Sequence, residues 1–149
     1  MTGRSFIDSI IVMKFGGTSV QTEESRRQVI KHIRRNIESG KNVVAVVSAM
    51  GRKGDPYATD TLISLFKDVG EPVNPAELDS VMSIGERLSS AYFSHLLTMN
   101  GMPAAAFTGG QAGILTDDNP GNAEILEINT SIIRKALSEG KIAVIAGFQ

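Results

Sequence analysis

Three short apolar runs punctuate the chain: Ile10-Ile11-Val12-Met13, Val43-Val44-Ala45-Val46-Val47 and Ile142-Ala143-Val144-Ile145-Ala146. Each is continuous rather than alternating, the pattern of a strand covered on both faces by helices in a parallel sheet. Between them, apolar positions recur at helical spacing. Segment 22–39 opens with Thr22 and the acids Glu23 and Glu24, carries Val29, Ile30, Ile33 and Ile37, and stops at Gly40. A hydroxyl satisfies free N–H groups at a helix start, acids there complement the dipole, and glycine adopts the turn that ends it. Segment 129–139 repeats the pattern before Gly140, with Ile132, Ile133, Ala136 and Leu137 inside. A longer helix is predicted over about 75–100, ending at Gly101 with Pro103 beyond, and a shorter one over 59–69. Ala104 to Phe107 reads as a strand. Segment 108–123 reads as loop with a short strand at 113–116, and 124–128 as a further strand. Strands alternating with helices predict one α/β domain with right-handed crossovers. There is no internal repeat, low-complexity tract or linker.

Composition narrows the chemistry. The 149 residues carry 15 Lys+Arg against 16 Asp+Glu, 42% hydrophobic residues and no cysteine. Disulfides, thiolate catalysis, iron–sulfur clusters and cysteine-based zinc sites are therefore excluded. With only His32 and His95 as imidazoles, most transition-metal sites are excluded too. A net charge of -1 gives no reason to expect nucleic acid or an acidic membrane surface. No apolar run is long enough to span a bilayer, and the first nine residues lack the apolar core of a secretory signal. A cytoplasmic domain with a flexible extension over residues 1–9 is expected. The chain stops at Gln149, shortly after an apolar run and where a site-forming loop is expected to start, which predicts a partial domain.

Three segments can carry chemistry. Lys14-Phe15-Gly16-Gly17-Thr18-Ser19 leaves the first strand and enters the first helix. Paired glycines let backbone N–H groups approach a phosphate, a helix start favours negative charge, the two hydroxyls donate, and Lys14 neutralises phosphoryl oxygens. It is not a Walker A loop, since its lysine precedes the glycines. A tight capped turn with a solvated Lys14 accounts for the same residues. Ser48-Ala49-Met50-Gly51 ends the second strand, where Ser48 can bond a ligand. On its own the segment reads more simply as a connecting loop in which Thr59 or Asp60 caps the next helix. Within the long helix, Ser83, Glu86 and Ser90 share a face. Gly85 there costs about 1 kcal/mol against alanine, which points to a close backbone approach. Glu86 can hold an ammonium group, although an exposed charge paired with a neighbour is the simpler expectation. Arg26, Arg27, Lys31, Arg34 and Arg35 read as a solvated helix face, and His95 as a packing or hydrogen-bonding histidine beside Tyr92, Leu96 and Met99. Asp117-Asp118-Asn119 lacks the spacing of a calcium loop.

Together, KFGGTSV (14–20), VVSAMG (46–51), SIGERLSS (83–90), FTGGQAG (107–113) and AGFQ (146–149) resemble the aspartokinases of the amino acid kinase family, in order and spacing, over residues 10–149. The connection GRKGDPYATD resembles one group of bacterial members, notably Gram-positive ones. The resemblance implies a three-layer α/β/α sandwich around a mainly parallel sheet, here incomplete, with residues 1–149 the N-terminal portion of the catalytic domain. It implies phosphoryl transfer from ATP, with Mg2+ bound through the nucleotide, to the β-carboxylate of L-aspartate, giving 4-phospho-L-aspartate for lysine, methionine and threonine biosynthesis. By motif match, Lys14 is the catalytic lysine. Phe15, Gly16, Gly17, Thr18 and Ser19 form the phosphate turn with it, and Ser48, Thr59 and Glu86 hold aspartate. No metal ligand is implied.

The family's second half supplies an RGGSD-like segment, a catalytic aspartate and most of the adenine site, none of which is in this sequence. The expectation is therefore the aspartate side and part of the phosphate site only. A non-catalytic binding module and another family relative, such as a glutamate, acetylglutamate or uridylate kinase, stay open. Apolar surface exposed on a partial domain would promote a homo-oligomer.

Overall fold

The computed structural model describes residues 9–148, so residues 1–8 of the expected N-terminal extension and Gln149 lie outside the described residues. Ser9, assigned to that extension, is tied down: its Oγ donates to the Gly40 carbonyl at 2.9 Å, and its carbonyl accepts from the Asn42 N–H at 2.7 Å. In chain order the elements are β1 (Ile10–Phe15), α1 (Gly17–Gln21), α2 (Glu23–Glu38), β2 (Asn42–Val47), α3 (Thr59–Lys67), α4 (Pro75–Met99), β3 (Ala104–Phe107), β4 (Ile114–Thr116), β5 (Ile125–Ile128), α5 (Ser131–Ser138) and β6 (Ile142–Ala146).

Four strands form a parallel sheet in the order β1-β2-β6-β3. Phe15 pairs with Val47 and Val47 with Ala146, so three strands end level with one another. Everything that leaves those ends is brought to one edge of the sheet, where parallel α/β proteins bind ligands. On one face, Phe15, Val43, Ala45, Val47, Ile142 and Val144 pack against α1, α2 and α4 through Val20, Val29, Ile33, Phe93 and Leu97. The Phe15 and Phe93 rings tilt together with centroids 6.4 Å apart. On the other face, Val44 and Ala143 pack against Ile133 and Leu137 of α5. The result is the expected α/β/α layering.

The helix ends follow their sequence signals. Thr22 Oγ1 accepts from the Ser25 N–H and the Ser25 hydroxyl accepts from the Thr22 N–H, both at 3.1 Å, a reciprocal cap that starts α2. Asn74 caps α4, with Pro75 in the first turn where its missing N–H costs nothing.

The fold differs from the expectation in several places. β1 is not covered on both faces: Val12 is 66% exposed, because α5 reaches only the central strands. The strands around 113–116 and 125–128 pair with each other antiparallel, outside the main sheet. The five-residue α1 was not legible, being too short to show an apolar period. The basic face of α2 is only partly solvated. Arg26 donates to the carbonyls of Val20 at 2.9 Å and Gln21 at 2.7 Å and lies over the Tyr92 ring, while Arg34 donates to the Asn100 carbonyl. His95 is exposed rather than packed. Asp117 serves its own loop, accepting from the Glu124 N–H at 2.9 Å.

Candidate active site

The level strand ends carry two of the chemistry-bearing segments and the end of the AGFQ run. β1 runs directly into Gly16 and α1, β2 into Ser48, and β6 into Gly147 and Phe148. α4 crosses beneath them and is drawn in closely at Gly85. A Cβ on Gly85 would stand 2.5 Å from the Tyr57 carbonyl oxygen and 3.0 Å from Ala49 Cβ. Only hydrogen fits there, which is the close approach that a glycine in a helix interior implied.

The next residue is Glu86. Its side chain is not the exposed, paired charge that the residues alone favoured: the residue is 8% exposed, and its Oε2 accepts a hydrogen bond from the Phe148 backbone N–H. The tight seating at Gly85 puts this carboxylate against the end of β6, with Oε2 beside Gly147. A buried carboxylate with one oxygen held by a backbone donor keeps acceptor capacity for a second, cationic donor.

Glu86 lines a cavity of about 320 Å³ together with Gly17, Ser48, Thr59, Arg52 and Asp60. The structure thus brings Ser48, Thr59 and Glu86 together with Gly17 of the turn after β1. Lys14 does not line this cavity. It lies one residue before the buried Phe15 on β1 and is exposed, with its side chain on the opposite face of the sheet. Thr59 does not cap α3, and neither does Asp60. The cap position is Ala58 without a side-chain bond, which makes Thr59 the first helical residue and leaves its hydroxyl to the cavity.

The two glycines of the turn are not equivalent. A Cβ on Gly17 would sit 2.7 Å from the Ala49 carbonyl oxygen, so α1 and the loop after β2 touch through backbone. Gly16 has φ -71° and ψ 168°, and a Cβ there would meet nothing within 4 Å. Neither strain nor packing demands glycine at that position. No side chain caps the N-terminus of α1, and of its first-turn donors the Ser19 N–H bonds back to the Gly16 carbonyl at 2.9 Å.

Sequence reasoning missed the residues that shape the loop. Asp55 Oδ2 accepts from Gln21 Nε2 at 2.9 Å and from the Arg52 N–H at 2.8 Å, joining the end of α1 to the loop. Gly51, at φ +97°, lies against this carboxylate. The signal was present in the run Gly51-Arg52-Lys53-Gly54-Asp55, an aspartate closing a glycine-flanked turn, but nothing local said that Gln21 would meet it. Among the described residues no group of three or more His, Asp or Glu side chains is placed to hold a metal ion, and no helix is long and apolar enough to cross a membrane.

Known proteins resemble this chain over most of its length. The chain is 48% identical over 140 residues to aspartokinase 1 of Bacillus subtilis, a match that covers 94% of this chain and 35% of that protein. It superposes on the crystal structure of aspartate kinase from Synechocystis with a TM-score of 0.75 at 39% identity, covering 95% of this chain and 22% of that one. At 18% identity, E. coli aspartokinase III, crystallised in complex with aspartate and ADP, shares the fold with a TM-score of 0.69 over 93% of this chain and 40% of that one. The chain thus spans about a third of the length of the curated relatives it matches. Residues 9–149 match the model of the amino acid kinase family, and the chain belongs to that family.

Proposed function

We propose that this chain holds the aspartate side and part of the phosphate side of an aspartate kinase. The observation that carries the reading is the convergence of Ser48, Thr59 and the buried Glu86 on one cavity beside the Gly16-Gly17 turn. A small amino acid with an acidic side chain needs a carboxylate for its ammonium group and hydroxyl donors for its carboxylates, and those are the groups assembled here. The names of the similar proteins point to the same acceptor.

In this reading a β-carboxylate oxygen of L-aspartate attacks the γ-phosphorus of ATP. The new oxygen–phosphorus bond forms as the bond to the β,γ-bridging oxygen breaks, ADP leaves with that electron pair, and 4-phospho-L-aspartate remains. The protein's task is to bring two anions into line and offset their charge. Glu86 takes the α-ammonium, while Ser48 and Thr59 donate to carboxylate oxygens. Backbone N–H groups from Gly16 to Thr18 meet phosphate oxygens with the Ser19 hydroxyl beside them, and the open space at Gly16 is where such an approach costs nothing. Lys14, from the end of the same strand, neutralises the transferring phosphoryl group. Mg2+ bound through the nucleotide would supply further charge compensation. A cytoplasmic location fits this chemistry, and exposed apolar side chains such as Val12 and Leu126 favour association with further protein surface, including a second copy.

Titration of the chain with L-aspartate, L-glutamate, N-acetyl-L-glutamate and UMP tests the reading. L-Aspartate is expected to bind best, without normal aspartate-dependent ATP turnover by these residues alone. Preference for another acceptor overturns the substrate, and full turnover overturns the partial site.

A further inference from the structure

We propose that the Gln21–Asp55 hydrogen bond couples the two parts of the site, so that a phosphate-bearing ligand at the turn after β1 and the amino acid in the cavity favour each other's binding. Gln21 and Asp55 are positioning residues, and neither lines the cavity. The proposal rests on the aspartate and phosphate readings above and adds the energetic link between them.

The five-residue α1 starts at the turn and ends at Gln21. At its start Gly17 is seated on the loop after β2: a Cβ there would stand 2.7 Å from the Ala49 carbonyl oxygen and 3.2 Å from that of Gly51. At its end Gln21 Nε2 donates to Asp55 Oδ2 at 2.9 Å. The helix thus meets one loop at both ends, through backbone at the first and through a side-chain pair at the second. Its last turn is anchored from the other side, since Val20 is fully buried and Arg26 of α2 donates to the carbonyls of Val20 at 2.9 Å and Gln21 at 2.7 Å. Asp55 is the node of the loop. Its Oδ2 also accepts from the Arg52 N–H at 2.8 Å, its N–H donates to the Arg52 carbonyl at 2.9 Å, and its carbonyl accepts from the Ala58 N–H at 3.2 Å. A Cβ on Gly51 would run into the Asp55 carboxylate, so the turn closes on Asp55 only because residue 51 is glycine. Ala58 immediately precedes Thr59, and both line the cavity. From Gln21 to Thr59 the path is one side-chain bond, one backbone bond and one peptide link.

That path gives the two ligands a shared element to order. A ligand that fixes a loop loses part of its binding energy to the loop's entropy, and a second ligand that needs the same loop is spared that cost. Phosphate oxygens that meet the N–H groups from Gly16 to Thr18 hold α1 in place. Through Gln21 they hold Asp55, and with it the segment that carries Thr59. An amino acid bound by Ser48 and Thr59 fixes the same segment from the cavity side. Linkage is reciprocal, so each ligand changes the affinity of the other by one common factor. Both ligands are anionic and repel at close range, a contribution that does not pass through the Gln21–Asp55 bond. The signature of the bond is therefore the change in that factor when the bond is cut.

The test is calorimetric titration of the chain with L-aspartate, alone and in saturating ADP, whose diphosphate is the probe of the turn. The coupling factor is the ratio of the two L-aspartate affinities. Gln21→Met removes the donor at similar side-chain size and leaves Asp55 its bond to the Arg52 N–H, and thermal midpoints check that the fold is kept. It should lower the coupling factor by roughly 5-fold or more, while L-aspartate alone changes by less than about threefold. Asp55→Asn, whose amide oxygen still accepts from Gln21 and from the Arg52 N–H, should keep the factor. Gln21→Met combined with Asp55→Ala should lower it no further than the larger single loss, since both cut one bond. In the wild-type chain ADP alone should slow amide hydrogen exchange at Arg52 and Ala58, and in Gln21→Met it should not. A coupling factor in Gln21→Met within about twofold of wild type, including a loss of L-aspartate affinity that is equal with and without ADP, makes the bond purely structural. That result overturns the proposal and leaves the site reading standing. A wild-type chain that binds L-aspartate but not ADP overturns the phosphate reading and the coupling with it, and one that binds no L-aspartate overturns the aspartate reading as well.

Discussion

Glu86, on the long helix α4, accepts a hydrogen bond from the backbone N–H of Phe148, two residues past the end of β6. A carboxylate from one layer is thereby fixed to the end of a strand in another. Replacing it by glutamine keeps an oxygen for Phe148 but removes the charge. Glu86→Gln should keep thermal stability within about 1 kcal/mol, while L-aspartate affinity falls by about 10- to 100-fold through loss of a charged hydrogen bond. Glu86→Ala should lower both, because the Phe148 donor is left without its acceptor. Calorimetry and thermal melts on the two variants separate charge from architecture.

Gly85 offers a sign test. Helix propensity alone says that Gly85→Ala stabilises α4 by about 1 kcal/mol. The Tyr57 carbonyl 2.5 Å from the would-be methyl says the reverse. Backbone has to move, and overpacking of this kind costs about 1–3 kcal/mol. Urea unfolding should therefore show a net loss, accompanied by weaker aspartate binding, since Tyr57 and Ala49 flank the cavity wall. A stabilised variant would mean that α4 does not sit this close to the loop.

The two glycines of the turn should behave differently. Gly16→Ala falls on allowed backbone with open space around it, and a narrower unfolded ensemble should add about 0.4–1 kcal/mol of stability. Gly17→Ala drives a methyl against the Ala49 carbonyl and should destabilise by about 1–3 kcal/mol. If Gly16 is kept for a phosphate, the stabilised Gly16→Ala chain should bind a phosphate-bearing ligand such as ATP or ADP more weakly than wild type. Denaturation midpoints and nucleotide titrations of both variants read this out.

Adjacent arginines on α2 make a fourth comparison. Arg27 pairs with Glu23 at 2.5 Å on an exposed face, a contact worth less than about 1 kcal/mol. Arg26 serves two carbonyls at the end of α1 and covers Tyr92. Arg26→Ala should cost about 1–3 kcal/mol, and Arg27→Ala about 0.5 kcal/mol or less. Equal costs would return α2 to a plain solvated face.

Most of the fold was legible because its signals are local. The apolar runs around Val12, Val44 and Val144 set three strands of the sheet, while Thr22 and Asn74 mark where α2 and α4 begin. Gly85 announced a contact that the sequence had no means of locating, since Tyr57 lies 28 positions away in a loop without periodicity. The same limit hid the Gln21–Asp55 bond, which joins two turns across 34 positions. It also misdirected the reading of Glu86, whose polarity suggested exposure while its burial depends on β6 arriving from the far end of the chain. Coverage of β1 was misjudged because an apolar run reads alike at the centre and at the edge of a sheet. The grouping of Ser48, Thr59 and Glu86 came from family resemblance, and the cavity supplies its physical content.

The most direct test of the central claim is an NMR titration of the backbone amides with L-aspartate. The account predicts saturable shifts concentrated at Gly17, Ser48, Arg52, Thr59 and Glu86, which line one cavity, and at Phe148, whose N–H Glu86 holds. Shifts confined to the groove between α2 and α4, near Glu23, Arg26 and Tyr92, or no saturable shifts at all, would contradict it.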